Sequence, residues 1–170
     1  FVTSTAGGFS RFDLSGTFQI QLTGFGTPTN VYGISVNPAT SKLYTMVTTP
    51  INGSSAGVWN STKATNWDAF ADGINANFGA NQFTAGSGIA VNSGSSANAG
   101  NIYGVDPSMG LIKIFNSSKT LIGSFGGCCL SANGFFGFNG AQLLVVDPTT
   151  SQVMVTDKVL NRVQVFDAAG

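Results

Sequence analysis

Short apolar runs separated by turn residues form the dominant pattern of this chain. The clearest example covers residues 141–170, where apolar runs at 143–146, 153–155 and 163–166 are each followed by an aspartate within two residues. Short runs rich in Val and Leu, closed by residues that favour turns, are typical of β-strands joined by tight turns. The pattern therefore predicts three consecutive antiparallel strands in this stretch.

The same pattern recurs along the chain at a nearly fixed period. An asparagine or aspartate closes the first apolar run at Asn37, Asn92 and Asp147, and both intervals are 55 residues. An aromatic residue followed by Asn or Asp recurs in the same order at 12–13, 59–60, 115–116 and 166–167. Self-similarity at such a period indicates a repeat architecture.

The last repeat resembles one blade of an NHL-repeat β-propeller. The family pattern has a first strand that ends in Val-Asp-Pro, a second that ends in Thr-Asp and a third that reads Asn-Arg-Val-Gln-Val-Phe-Asp. These motifs stand here at 146–148, 156–157 and 161–167. The repeat-level resemblance covers most of the chain, although the repeats are longer than typical NHL units. It implies an all-β, β-propeller-like array of about four blades of up to four antiparallel strands.

We expect a single NHL-like propeller domain over residues 1–170. The repeats predict blade boundaries at 1–26, 27–79, 80–126 and 127–170. Blade one is expected to begin with a second strand and blade four to end with a third strand, so that both end blades are incomplete. Open strand edges of this kind are templates for pairing with another chain.

The first strands of the repeats are expected at 33–37, 88–92 and 142–147, where the sequence is almost continuously apolar. Continuous apolar strands suit burial on both faces between neighbouring blades. Near Trp67, the fourth element of blade two fits a strand or a short helix, and the sequence leaves both open. The Gly/Ser/Ala/Asn-rich loop at 93–100 is expected to be flexible.

Composition narrows the class of protein further. The chain is 42% hydrophobic, carries 8% charged residues and has a net charge of zero, which is typical of a folded domain rather than a disordered one. The basic residues are scattered singly, so no footprint for nucleic acid is visible. No apolar run reaches the roughly 18 residues of a membrane-spanning helix.

The chain contains no histidine, and all seven acidic residues are aspartates. General acid–base and nucleophilic catalysis use His and Glu first, and the histidine metal ligands of NHL-like amidating lyases have no counterpart here. Asp13, Asp106, Asp147, Asp157 and Asp167 each stand where a strand ends, and there an aspartate typically accepts hydrogen bonds from backbone N–H groups. We therefore expect no catalytic residue, no cofactor and no metal site.

Three kinds of candidate site remain. The adjacent Cys128 and Cys129 could be free thiols, a strained vicinal disulfide or an intermolecular disulfide, and without histidine they make a poor zinc site. The loop aromatics could form a contact surface or fill the gap between blades three and four; they are Phe135, Phe136 and Phe138. The Asn-x-Ser/Thr sequons are no more numerous than chance predicts; they begin at Asn52, Asn60 and Asn116.

Among the sequons, Asn60 and Asn116 are repeat-equivalent and stand at the turn from the third to the fourth strand. We expect them, rather than Asn52 alone, to carry N-linked glycans if the protein is glycosylated, because equivalent turns have equivalent exposure.

Three functions follow from these observations. The first is a non-enzymatic extracellular or cell-surface scaffold that assembles with copies of itself as a ring or filament, or that continues into further blades of a longer chain. The second is a binding module for peptide or carbohydrate, and the third is a degenerate lactonase-like or lyase-like enzyme. The missing His and Glu disfavour the enzyme, and the incomplete end blades favour the scaffold.

Overall fold

A computed structural model describes residues 2–4, 8–23, 31–40, 42–51, 54–60, 83, 87–107, 109–127 and 141–170. In this part of the chain all regular secondary structure is β, which confirms the predicted all-β class. The strands are β1 (Val2–Ser4), β2 (Gly8–Phe12), β3 (Phe18–Thr23), β4 (Val31–Asn37), β5 (Lys42–Ile51), β6 (Ser54–Asn60), β7 (Ile89–Val91), β8 (Ile102–Asp106), β9 (Leu111–Phe115), β10 (Leu121–Gly126), β11 (Ala141–Val146), β12 (Val153–Asp157) and β13 (Arg162–Phe166).

The strands form four antiparallel sheets in which chain neighbours pair. Sheet one is β1-β2-β3, sheet two is β4-β5-β6, sheet three is β7-β8-β9-β10 and sheet four is β11-β12-β13. Such up-and-down connections need only short turns. The element near Trp67, whose sequence fits both a strand and a short helix, lies outside the described residues.

Aspartate and asparagine side chains close the turns, as the sequence predicts. Asp13 Oδ1 accepts hydrogen bonds from the backbone N–H groups of Ser15 (3.0 Å) and Thr17 (2.9 Å). Asn116 Oδ1 accepts the same two bonds from Ser118 and Thr120, both at 3.0 Å. The turn role is confirmed in the same way for Asp147, Asp157 and Asp167.

Sheet one matches the last three strands of sheet three. Phe12 pairs with Phe18 in sheet one as Phe115 pairs with Leu121 in sheet three. A register irregularity follows each of these pairs at the same place, and the next pairs are Arg11 with Ile20 and Ile114 with Gly123, respectively. Strands β1, β2 and β3 therefore correspond to β8, β9 and β10.

The sheets stack in chain order. Strand β1 of sheet one contacts β4, the first strand of sheet two contacts that of sheet three (β4 with β7), and β7 contacts β11 of sheet four. We call the side of a sheet that looks toward the next sheet along the chain its forward face and the opposite side its backward face. Successive residues of β7 alternate between the two, because side chains in a strand point to opposite sides.

Two apolar clusters fill the spaces between sheets two and three and between sheets three and four. Residues of sheet two, Phe83 and the backward face of sheet three form the first cluster: Tyr44, Met46, Phe83, Ile89, Val91, Ile102 and Phe115. The forward face of sheet three and the backward face of sheet four form the second: Ala90, Tyr103, Val105, Ile112, Ile114, Phe125, Val146, Val153, Val155 and Phe166. Burial of β7 on both faces is thus confirmed.

Candidate functional site

A buried ion pair lies on the backward face of sheet three. Lys113 Nζ donates a hydrogen bond of 2.9 Å to Asp106 Oδ2, and Asp106 is 1% exposed. The same ammonium lies 5.2 Å from the centroid of the Phe83 ring, within the range of a cation–π interaction. A Cβ on Gly104 would lie 2.5 Å from this ring, so glycine leaves the space that Phe83 occupies. The ion pair thus links β8 to β9, and its ammonium also contacts the Phe83 ring.

The sequence predicts a turn role for Asp106 and does not indicate its pairing with Lys113. Asp157, at the equivalent position of sheet four, is also 1% exposed, and its Oδ2 lies 3.6 Å from Arg162 Nε. In both sheets the acid that ends the second strand is therefore neutralised by a base on the third strand. The signal in the sequence was the single lysine within the apolar run of β9.

A polar network joins sheets three and four at the end of their first strands. Asn92 is fully buried, and its Nδ2 donates to Ser151 Oγ at 3.0 Å. Ser151 Oγ lies 2.6 Å from Ser96 Oγ, and Asn92 Oδ1 accepts from the N–H of Gly94 at 3.0 Å. The loop at 93–100 is arranged in hydrogen-bonded turns that face the neighbouring sheet, and its flexibility stays a prediction.

The forward face of sheet four is the largest departure from the sequence prediction. The exposed fractions on this face are 56% for Leu143, 53% for Val145, 63% for Val163 and 55% for Val165. The prediction that the strand at 142–147 is buried on both faces is therefore wrong for its forward face. Only its backward face packs against another sheet in the described part of the chain.

The register shows which buried surface this exposed face corresponds to. Val145, Met154 and Val165 form one row across sheet four. Ala90, Tyr103 and Ile114 form the same row across sheet three, and there it is buried beneath sheet four. The forward face of sheet four thus has the composition and position of an interface between blades.

Most of the predicted site residues lie outside the described residues. This holds for Asn52, for Cys128 and Cys129, and for Phe135, Phe136 and Phe138. Asn60 is the last residue of β6 and pairs with Lys42. Asn116 lies half-buried in the turn after β9. Glycosylation, disulfide formation and the contact loop stay predictions.

Within the described ranges, no group of three or more His, Cys, Asp or Glu residues could hold a metal ion. The same residues include no helix that is long and apolar enough to cross a membrane.

The hydrogen bonds to Asp13 predict how the stability of the fold depends on pH. Hydrogen bonds from the Ser15 hydroxyl and from the backbone of Thr17 hold the pKa of Asp13 below its ordinary value of 3.8. A carboxylate with a lowered pKa stabilises the fold above its unfolded pKa, and this contribution is lost as the pH falls through the folded pKa.

Asp13→Asn should therefore make stability less sensitive to acid, because Asn116 shows that an amide oxygen accepts the same two bonds without titrating. Urea unfolding of both proteins between about pH 5 and pH 2.5 measures this. A constant difference in the free energy of unfolding over that range would contradict it.

Comparison with known proteins agrees with this architecture. No model of a protein family and no curated protein matches the chain. Among solved structures, a chain from the crystal structure of a nidogen/laminin complex superposes with a TM-score of 0.62 at 11% sequence identity. The match covers 96% of this chain and 54% of the neighbour, so this chain spans about half of its length. That neighbour is a β-propeller, and the chain has a β-propeller-like fold of antiparallel blades.

Proposed function

We propose that the protein is a non-enzymatic scaffold built from NHL-type propeller blades, extracellular or at the cell surface, which assembles with copies of itself. The observation that carries this proposal is the exposed forward face of sheet four. Its row Val145–Met154–Val165 repeats a row that sheet three buries against a neighbouring sheet. An exposed apolar surface of this kind typically binds another protein surface.

The composition of the face supports a protein partner. The described side chains on it are uncharged; they are Leu143, Val145, Met154, Thr156, Val163 and Val165. Full burial of one aliphatic side chain contributes about 1.5–3 kcal/mol, so covering four that are more than half exposed contributes several kcal/mol. Burial of apolar surface on this scale offsets part of the entropic cost of association.

Two further observations support the proposal. The similar propeller was crystallised in a nidogen/laminin complex, so a fold of this type is compatible with binding another protein. The sequons at Asn60 and Asn116 fit an extracellular location. The absence of histidine and glutamate from the sequence favours a structural role over catalysis.

The test is the solution mass of the 17.4 kDa chain, measured by light scattering between about 1 and 100 μM. We expect a mass above that of the monomer, and we expect Val165→Lys to return it to the monomer because the ammonium would be buried without a partner. Ile122→Lys is the matched control: Ile122 is 53% exposed but lies in β10, away from the face. A wild-type protein that stays monomeric throughout would overturn the proposal.

A further inference from the structure

We infer that the forward face of sheet four is covered by the backward face of sheet one from a second copy of this chain, so that copies join head to tail. The inference rests on the proposed self-assembly and specifies the contact. It starts from the register, which makes β2 the counterpart of β9 and makes Phe12 the counterpart of Phe115.

The aromatic residue that ends the third strand has the same position in three sheets. Phe115 ends β9 on the backward face of sheet three, and it is fully buried against the cluster that contains Phe83. Phe166 ends β13 on the backward face of sheet four, and it is 9% exposed and packs on Phe125 with ring centroids 5.0 Å apart. In both sheets this residue packs against the sheet that precedes it.

Phe12 occupies this position in sheet one but is 39% exposed. It lies edge-to-face against Phe18 at 5.8 Å, and Phe18 is 55% exposed. The pair therefore presents an aromatic surface on the backward face of sheet one. It has the position that Phe166 and Phe115 use for packing between sheets.

The two exposed faces are complementary in the way that sheets three and four already are. In the internal junction, Phe166 shares a cluster with Ile114 and Tyr103 of the preceding sheet. On the forward face of sheet four, Val165 and Met154 occupy the positions of Ile114 and Tyr103. In a head-to-tail contact Phe12 would take the position of Phe166 and would meet Val165 of the second copy.

The charges near Phe12 do not oppose this contact. The Arg11 guanidinium donates two hydrogen bonds to Gln19 Oε1, at 3.0 and 2.8 Å. The Asp13 carboxylate accepts the N–H bonds of its own turn. Both groups that flank Phe12 are thus engaged within sheet one, and the opposing face of sheet four contributes no charged side chain among its described residues.

A head-to-tail contact joins two different surfaces, so a copy that has bound a neighbour through one face still has its other face available for a further copy. Such heterologous contacts give a ring if the rotation closes and a filament if it does not. They also predict that two variants blocked at opposite ends complement each other.

The experiment mixes two end-blocked chains, Phe12→Lys and Val165→Lys. Each alone should be monomeric, with an association weaker than the wild type by at least about tenfold, because each lacks one of the two faces. Mixed in equal amounts, they should form a dimer of twice the monomer mass and nothing larger, since only one pair of intact faces remains. Ile122→Lys should assemble as the wild type does, and circular dichroism checks that every variant is folded.

The outcomes separate the inference from the proposed function. A Phe12→Lys chain that assembles normally while Val165→Lys does not would overturn the head-to-tail contact and leave self-assembly intact, with sheet four then packing on another surface. A monomeric wild type would overturn self-assembly itself and leave further blades of a longer polypeptide as the cover of this face. If Phe12→Lys does not fold, Phe18→Lys tests the same face.

Discussion

Replacing Lys113 with methionine is expected to lower the free energy of unfolding by about 3–5 kcal/mol, because it leaves the Asp106 carboxylate buried without its ammonium partner. Methionine is an unbranched side chain of similar length, so the loss reports the charge rather than a large cavity. For a chain of this size the change corresponds to a fall in the melting temperature of about 6–20 °C. Urea unfolding followed by circular dichroism measures it.

Two controls isolate the ion pair. The double variant Asp106→Asn with Lys113→Met should recover more than half of the loss, because a neutral amide is much less costly to bury than a carboxylate. Lys158→Met, at an exposed lysine, should change stability by no more than about 0.5 kcal/mol. If Lys113→Met were as mild as Lys158→Met, the buried Asp106 carboxylate would not depend on the Lys113 ammonium for its compensation.

The ion pair between Asp106 and Lys113 could not be predicted from the sequence. The apolar run of β9 predicts a strand with a lysine in it, but nothing in the run gives its partner. Asp106 stands seven residues earlier, and whether the two meet depends on the register between β8 and β9 and on the side of the sheet that receives Phe83. Pattern gives the period of a strand, whereas register and the choice of covering sheet are properties of the packed fold.

The architecture could be predicted from the sequence more readily than the side-chain contacts could, and the reason is physical. Asn37, Asn92 and Asp147 end the first strands of sheets two to four, and the oxygen that closes each turn is a local requirement that one residue satisfies. Local requirements leave a trace at a fixed position in every repeat. The all-β class and the positions of the first strands could therefore be predicted.

Exposure at Val163 and Val165 could not be predicted in the same way. Both are apolar residues of the type expected between blades, and the residues at the equivalent positions in sheet three, Ile112 and Ile114, are buried. Only the structure shows that the described chain places no sheet over this face. The conflict between an interior sequence and an exposed position is the signal of a candidate interface, and it arises from comparison of the repeats.

Replacing Gly94 with alanine is expected to lower the free energy of unfolding by about 2–4 kcal/mol, since overpacking costs about 1–3 kcal/mol and the weakening of the hydrogen bonds between the loop and sheet four adds about 1 kcal/mol in total. A Cβ on Gly94 would overlap the carbonyl oxygen of Pro148, a backbone atom that cannot turn away as a side chain can.

The loop at 93–100 would have to move away from the turn of sheet four, and the bonds from Asn92 and Ser96 to Ser151 would lengthen with it. Because these bonds join sheets three and four, the variant should also expose the cluster that contains Phe166 and Phe125, seen as faster hydrogen exchange in β12 and β13. Gly123→Ala is the matched control, because a Cβ there lies 3.8 Å from Ile114 in ordinary contact and should change stability by less than about 1 kcal/mol. Equal stability of the two alanine variants would show that the loop yields without cost and does not hold the two sheets together.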